Sequence, residues 1–492
     1  MKSLSKYTKV VLLVAALCCG VFGDVRAHMT PEEKILFDLV NETRTNPLAV
    51  AESYGMDRKA LLESLPSLST TLENGLPRLW HNERLQDAAM SHSKDMVARS
   101  YYSHETPEGI TAAQRIETAG YPAAKSGETI GILAFYNYMD LEDAVKTIFG
   151  NLLKDELSPD PEVDRHILGN NYHEVGISVE TGTIVFGKIT YNIVVVTCDF
   201  GLRKTKENGN IAFYQLINQA RKNPLAYAAS LGMDTSALVE MFPQWDALFH
   251  IGLPPVGMSD TLSWTSGIHT IDMIINRFYD TLSSGGHSYD DRLDMMDYPR
   301  KTAVEGISQY VVGHYTAPEI VVKEMFDEMF RQELDPNYPS DRIILNPNVT
   351  EAGVGFGLGT IDVDGTMENA YLLTCDTAEP IMEVSPRYYL TGRVFMDRDG
   401  DGLYSPGEGL AGVEIQVEIW DLPFWDYSTT IVRTGKSGEI NVKLPPAYVR
   451  ASSLDENIVF QSGFLPLNRK NQQIIIAVPP PESEISTKDG AS

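Results

Sequence analysis

Cysteine is scarce in this 492-residue sequence: there are four, and Cys18 and Cys19 fall in the N-terminal leader. With only Cys198 and Cys375 left, a disulfide-built scaffold is excluded. Long apolar runs are missing too. The N-terminal one, Val10 to Gly20, is shorter than the roughly 20 residues that a membrane-spanning helix needs. Basic residues are outnumbered, 40 Lys and Arg against 67 Asp and Glu, for a formal charge of -27. That field repels phosphate backbones, and in the absence of a local basic patch it excludes nucleic acid as a partner. Familiar catalytic signatures are also absent: there is no GxSxG elbow, no HExxH, no phosphate-binding glycine loop and no Cys/His pair at family-like spacing. A nucleophilic enzyme has no support.

The N-terminus carries a secretory signal. Lys2, Lys6 and Lys9 precede the apolar run, and Val25-Arg26-Ala27 offers a small-residue cleavage site. Leu17 before Cys18 argues against a lipid-modified cysteine. Removing residues 1–27 takes away four basic residues and Asp24, moving the formal charge from -27 to -30. The sequence predicts an extracytoplasmic protein (secreted, periplasmic or cell-surface) with no transmembrane span after cleavage.

The rest of the chain repeats itself at an offset of 177 residues. Asn41, Arg44, Asn46, Pro47, Leu48 and Ala49 recur as Asn218, Arg221, Asn223, Pro224, Leu225 and Ala226, and 12 of the 23 positions from Ile35 to Asp57 are identical to Ala212 through Asp234. The offset also pairs His92 with His269, Glu128 with Glu305, Glu156 with Glu333, Asp164 with Asp341 and Cys198 with Cys375. A register this long and ungapped predicts one globular fold used twice. His104 breaks the pattern, because Thr281 stands at its place.

Apolar spacing predicts helices over about Pro31 to Thr45, Asn82 to Ser100 and Leu141 to Leu153, with counterparts from Ile211 and Pro318. His92 and His269 fall on buried helix faces, which favours hydrogen-bonded core histidines over ligands. Each copy then ends in a strand hairpin: Tyr172 to Glu180 with Gly182 to Cys198, and Thr350 to Cys375 around an Asp364-Gly365 turn. Cys198 and Cys375 sit in these apolar strands and read as buried thiols; a disulfide between them would require the two strands to pack together. From Tyr388 to Val478 the helical period disappears, and alternating runs such as Val413 to Ile419 and Ile440 to Leu444 predict a small antiparallel β-sandwich. The polar tail from Pro479 to Ser492 has the composition of a disordered segment.

The sharpest motif lies in that last region. Asp397-Arg-Asp-Gly-Asp-Gly-Leu-Tyr-Ser-Pro-Gly-Glu408 fits the calcium-loop pattern D-x-D-x-D-G-x5-E throughout. Asp397, Asp399 and Asp401 supply side-chain oxygens, Leu403 a backbone carbonyl, Ser405 a direct or water-mediated contact and Glu408 both carboxylate oxygens. The flanks are strand-like, so a structural calcium is expected rather than a helix-loop-helix sensor.

A second constellation runs through the first copy: Asn41 and Arg44, Tyr102-Ser103-His104, Pro107, Gly109, Arg115, Ala119-Gly120-Tyr121, Gly127-Glu128-Thr129-Ile130, Asp164-Arg165, Ile167-Leu168 and Glu174-Val175-Gly176. In this order the segments resemble the CAP superfamily (cysteine-rich secretory, antigen-five and pathogenesis-related proteins) and its bacterial branch in particular, over about Pro31 to Phe200 and more weakly over Ile211 to Asp376. The resemblance implies an α+β chain: tandem three-layer α-β-α sandwich domains at 28–203 and 204–380, followed by the all-β sandwich at 387–478. It also implies a cleft of two histidines and two glutamates, which in some members holds a divalent metal. His104 matches the first histidine and Glu128 the first glutamate, while Asp164 stands in the place of the second histidine. Glu156 is a candidate for the second glutamate, and His166 is a further neighbour. Such a set is open to zinc or another divalent ion. The second copy keeps Glu305, Asp341 and Glu333 but has Thr281 for the histidine, too few ligands for a transition metal. The C-terminal region, through Gly392-Arg-Val-Phe395, the calcium loop and Gly409-Leu-Ala-Gly-Val413, resembles calcium-containing B-type repeats of bacterial adhesins, which serve as spacers.

These residues favour an exported protein that binds an extracellular ligand or envelope component through the first cleft. The rivals are a metal-dependent hydrolase centred on His104 and Glu128, for which a complete ligand set and general base are lacking, and a purely structural surface protein.

Overall fold

The computed structural model describes residues 29–186, 188–205, 208–338, 342–363, 365–381, 387–421 and 426–480. The secretory signal, Asp341, Asp364 and the tail beyond residue 480 lie outside the described residues. The chain divides into two compact units. One holds residues up to Lys204 together with Val311–Tyr315 and Gly359–Ala370, and the other holds the remainder.

In the first unit, α1 (Pro31–Thr45), α2 (Pro47–Ser53), α3 (Arg58–Ser64), α4 (Ser69–Asn74), β1 (Trp80–His81), α5 (Glu83–Arg99), α6 (Ala112–Thr118), β2 (Ala123–Phe135), α7 (Leu141–Glu156), β3 (Glu174–Phe186) and β4 (Ile189–Arg203) follow in order. Helix α1 starts where the sequence predicts. The Thr30 hydroxyl accepts the Glu33 amide, the Glu33 carboxylate accepts the Thr30 amide, and Pro31 fits the first turn. The strands form one sheet in the order β1-β3-β4-β2, with β1 parallel to β3 and the other pairs antiparallel. One layer buries Leu36, Val40, Ile148, Phe149 and Leu153 together with the strand residues Val175, Ile177, Val194 and Val196. Helices α5 and α6 bring Leu85, Ala88, Met96 and Ile116 into a second layer with Tyr121, Ile130, Ile193 and Val195. Helix, sheet and helix layers result.

The second unit contains α8 (Gly209–Lys222), α9 (Pro224–Ser230), α10 (Thr235–Met241), α11 (Asp246–Ile251), β5 (Gly257–Met258), α12 (Asp260–Asn276), α13 (Tyr289–Met295) and α14 (Pro318–Glu333), and it shares β6 (Arg300–Val311), β7 (Glu351–Val363) and β8 (Thr366–Pro380). Their sheet order, β5-β7-β8-β6, parallels that of the first four strands. The repeated asparagine and arginine are scaffold residues. Buried Arg44 donates to the carbonyls of Pro77, Ile167, Gly169 and Tyr172, and buried Arg221 to those of Pro254, Ile344, Asn346 and Val349. Asn41 exchanges two hydrogen bonds with the Leu79 backbone, and Asn218 does the same with Val256.

The hairpin expected to turn near Thr181 turns instead after Phe186, and Gly182 is a mid-strand residue. It is glycine because α5 passes close: a Cβ there would collide with the Val97 side chain. Pattern reading also missed β2 and β6, the strands that carry Glu128 and Glu305. Cys198 and Cys375 are free and buried, as their apolar strands suggest.

The C-terminal strands are β9 (Tyr388–Met396), β10 (Glu414–Asp421), β11 (Asp426–Arg433), β12 (Glu439–Leu444), β13 (Ala447–Ser453), β14 (Leu465–Leu467) and β15 (Gln472–Val478). They make two sheets, β11-β10-β13-β14 and β12-β9-β15, around Leu390, Val394, Ile415, Val417, Ile440, Val449 and Ile474. The sandwich is not wholly antiparallel as expected, because β15 runs parallel to β9. This sandwich is joined to the preceding segment by buried polar contacts. Arg393, fully buried, donates to Gln219 Oε1 (2.9 Å) and to the Gln215 carbonyl (2.7 Å) and lies over the Tyr404 ring. Gln219 also exchanges two hydrogen bonds with the Tyr404 backbone, and Asn441 two with that of Met258.

Candidate functional site

The first-copy site is built on β2. Glu128 points from its middle with the side chain almost wholly buried, and three groups converge on the carboxylate. His104, on the loop after α5, sets Nδ1 2.8 Å from Oε1; Arg115 of α6 donates to Oε2; and His92 of α5 has Nε2 3.9 Å from Oε2. Arg115 also donates to the carbonyls of His104 (2.9 Å) and Ile110 (3.0 Å), so one guanidinium fixes both the glutamate and the loop that carries the histidine. Burial alone would raise the Glu128 carboxyl, but the His104 hydrogen bond and the nearby Arg115 and His92 outweigh it and hold the group below its ordinary range. The His104 ring itself is 60% exposed, the one member of this group that faces solvent.

His92 places Nε2 2.9 Å from the Ser103 carbonyl and is a buried structural histidine, as its helical position suggests; burial lowers its pKa. His269 repeats the contact with the Asp280 carbonyl at 2.9 Å. His166 lies close to the cleft: Nδ1 is 3.2 Å from the Thr129 hydroxyl, and a Cβ on Gly127 would collide with its ring. Burial pushes the His166 pKa down, Asp164 opposes that, and the charge of His104 adds to it. Glu156 does not join this group. Its two oxygens accept the amides of His166 (3.2 Å) and Leu168 (2.8 Å), so it holds the 164–168 segment in place. Glu333 does the same for Ile343, Ile344 and Leu345.

One member of the site escaped sequence reading. Asp199 of β4 is the register partner of Glu128, and it is completely buried, with neither carboxyl oxygen accepting a hydrogen bond. Burial, and then the Glu128 charge, push its pKa well above the ordinary range. The available signal was a lone acid inside the apolar run ending at Phe200, repeated as Asp376.

In the second copy, Arg292 likewise donates to Glu305, and Thr281 stands where His104 does in the first. Glu305 is pushed up to about 8 by burial and by Asp376. Asp376 differs from Asp199 in one oxygen: its Oδ2 accepts the hydroxyls of Thr265 (2.8 Å) and Ser266 (2.9 Å), where the first copy has Ala88 and Ala89, while its Oδ1 accepts none.

In the C-terminal module the carboxylates of Asp397, Asp399 and Asp401 converge, each offering an oxygen within 4.8 Å of the others, and they are the only such group among the described residues. Gly402 follows with φ +73°, the left-handed turn that the sixth loop position requires. Glu408 folds back over the loop, its oxygens accepting the amides of Arg398 (3.0 Å) and Ser405 (2.8 Å). Burial raises the Glu408 and Asp401 carboxyls, and the neighbouring Asp399 and Asp397 charges add to the effect.

Residues 37–200 match the family model "CAP: Cysteine-rich secretory protein family", which supports a CAP domain over that segment. No curated protein matches the chain at a significant level. Among solved structures, an extracellular protein containing an SCP domain from Bacillus anthracis str. Ames is 19% identical, with 36% of this chain and 45% of that chain covered and a TM-score of 0.21. This chain therefore spans less than half the length of that relative. An outer surface protein from Borrelia burgdorferi is 17% identical over 35% of this chain and 93% of its own (TM-score 0.21). Venom allergen-like protein 4 of Schistosoma mansoni is 11% identical over 36% and 91% (TM-score 0.20). CAP domains are typically extracellular, and among the described residues no helix is long and apolar enough to cross a membrane.

Proposed function

We propose that this is an exported bacterial protein with two CAP domains, at 28–203 and 204–380, and a calcium-stabilised spacer at 387–478, which binds an extracellular ligand or envelope component through the first cleft. The observation that carries this reading is the asymmetry at one position. In the first copy an exposed His104 ring stands on a buried Glu128–Arg115 pair, and in the second the same base, Glu305–Arg292, carries Thr281. A solvent-facing imidazole held at Nδ1 by a buried glutamate offers its other nitrogen to an incoming group.

A calcium ion fits the 397–408 loop, whose donors are all hard oxygens: Asp397, Asp399, Asp401, the Leu403 carbonyl, Ser405 and Glu408. Bound there, it would neutralise the clustered carboxylates. Zinc does not fit the first cleft: among the described residues, His104, Glu128 and Asp164 bring no three ligand atoms within 4.8 Å of one another.

The test is co-sedimentation of the mature protein with envelope fragments of the producing cells, alongside its metal content by elemental mass spectrometry. Wild type is expected to sediment with the envelope, His104→Ala to stay in solution, and calcium to be lost only in Asp397→Ala. Equal sedimentation of the His104 variant would return the protein to a structural role. A stoichiometric zinc that disappears with His104→Ala would bring the hydrolase forward.

A further inference from the structure

Helices α5 and α12 occupy equivalent places 177 residues apart, and each is 17 residues long. Their inner faces agree: Leu85, His92 and Met96 are buried in one, and Leu262, His269 and Met273 in the other. Their outer faces do not. On α12, Trp264, Ile268, Ile271 and Ile275 are 59%, 44%, 55% and 37% exposed, and their spacing of four, three and four residues aligns them in one stripe along the helix. The same positions on α5 are Asp87, Ser91, Lys94 and Ala98, all exposed. The fold therefore does not require apolar side chains there, and the second copy has acquired them. Gly267 lies between Trp264 and Ile268, and nothing stands within 4 Å of where its Cβ would be, so a partner backbone can approach closely.

We propose that this stripe is the docking face for an amphipathic helix of a partner protein that carries Lys or Arg beside its apolar side. The charge pattern selects that occupant. No Lys or Arg lies between Asp260 and Asn276, whereas Asp260 and Asp272 border the stripe, and the groups hydrogen-bonded to Asp272, Asn276 and Ser284, are neutral. A second copy of this chain would bring the same acids and another formal -27 against the face, and an anionic membrane would be repelled likewise. Four side chains also fall well short of the roughly 800 Å² per partner of a standard protein–protein interface, a scale that suits one docked helix better than a dimer.

The experiment uses the full mature chain and two synthetic helices of about 18 residues with leucines at matching spacing, one flanked by Lys and one by Glu. The Lys helix is expected to bind with a salt-weakened affinity, and Trp264→Asp/Ile268→Ser/Ile271→Lys to weaken it by about tenfold or more. That variant carries the residues α5 tolerates at the same positions, so its melting curve should match wild type; Ile275→Ala provides a milder second variant. Equal binding of the Glu helix, an unchanged affinity in the variants, or no binding of either helix would overturn the proposal. So would a concentration-dependent dimer or binding to phosphatidylcholine vesicles that the triple variant abolishes, because these would assign the stripe to a second copy or to a lipid surface.

Discussion

Asp199 faces Glu128 directly across the β2–β4 pairing, and neither of its buried oxygens accepts a hydrogen bond. The equivalent Asp376 faces Glu305 with two hydroxyls on one oxygen. Both copies thus bury a pair of acids with one arginine, and the first leaves both oxygens of the second acid without a partner where the second copy leaves one.

This relationship makes stability fall as pH rises. A folded-state pKa above the unfolded value means that the native chain keeps a proton the unfolded chain gives up, so the contribution is full at acid pH and is lost as pH climbs through the raised value. For Glu305 the window runs from the ordinary carboxyl range to about 8. Melting temperatures between about pH 5 and 8 should decline in wild type and decline less in Asp199→Asn and in Glu305→Gln. Parallel slopes in all three proteins would contradict the assignment.

Removing the arginine from the first base should be severe. Arg115→Ala leaves Glu128 buried with His104 and His92 as its remaining partners, and a broken buried pair costs about 3–5 kcal/mol. Arg292→Ala should cost less at Glu305, because that carboxyl, already pushed up to about 8, can take a proton when the arginine is gone. His104→Ala, on an exposed ring, should cost less than about 1 kcal/mol by urea unfolding.

The C-terminal sandwich supplies a buried acid of the preceding segment with its partners. Glu174 is gripped by Arg203 at two atoms, but the residue equivalent to Arg203 is Pro380. Glu351 instead receives Tyr389 Oη at 3.1 Å and Lys443 Nζ at 3.2 Å from the sandwich, besides Tyr298. Tyr389→Phe should therefore destabilise the protein by about 1.5–3 kcal/mol, as for a hydrogen bond to a charged group. Pro380→Arg is the substitution to try as a rescue, with chemical denaturation as the readout.

Calcium should act through the 397–408 loop alone. Chelation is expected to lower the melting temperature of wild type by several degrees and to leave Asp397→Ala unmoved, since an ion that binds only the native state stabilises it. Identical shifts in both proteins would place the effect elsewhere.

Much of this could be read in the sequence because the duplicated positions constrain backbone geometry. Thr30 and Pro31 marked the start of α1 to the residue, and the ungapped offset anticipated the equivalence of Arg44 and Arg221. What escaped depended on contacts across the fold. The break expected at Thr181, just before Gly182, is a continuous strand, because glycine's need for space beside Val97 leaves no trace in its own segment. Glu156 looked like a cleft residue because duplication retains a scaffold carboxylate as readily as a functional one. Asp199 stayed hidden because an acid in an apolar strand reads as an interruption until the opposite strand is known to carry Glu128.

The parallel pairing of β15 with β9 bears on what happens when the protein is pulled. The first and last strands of the terminal module lie side by side from Leu390 with Gln472 to Met396 with Val478, and the chain enters at one end of this pair and leaves at the other. Tension applied across the two ends of this module would load those hydrogen bonds together, in shear, rather than unzip them one at a time. A module closed in this way resists force through its rate of forced unfolding, even where its equilibrium stability is ordinary.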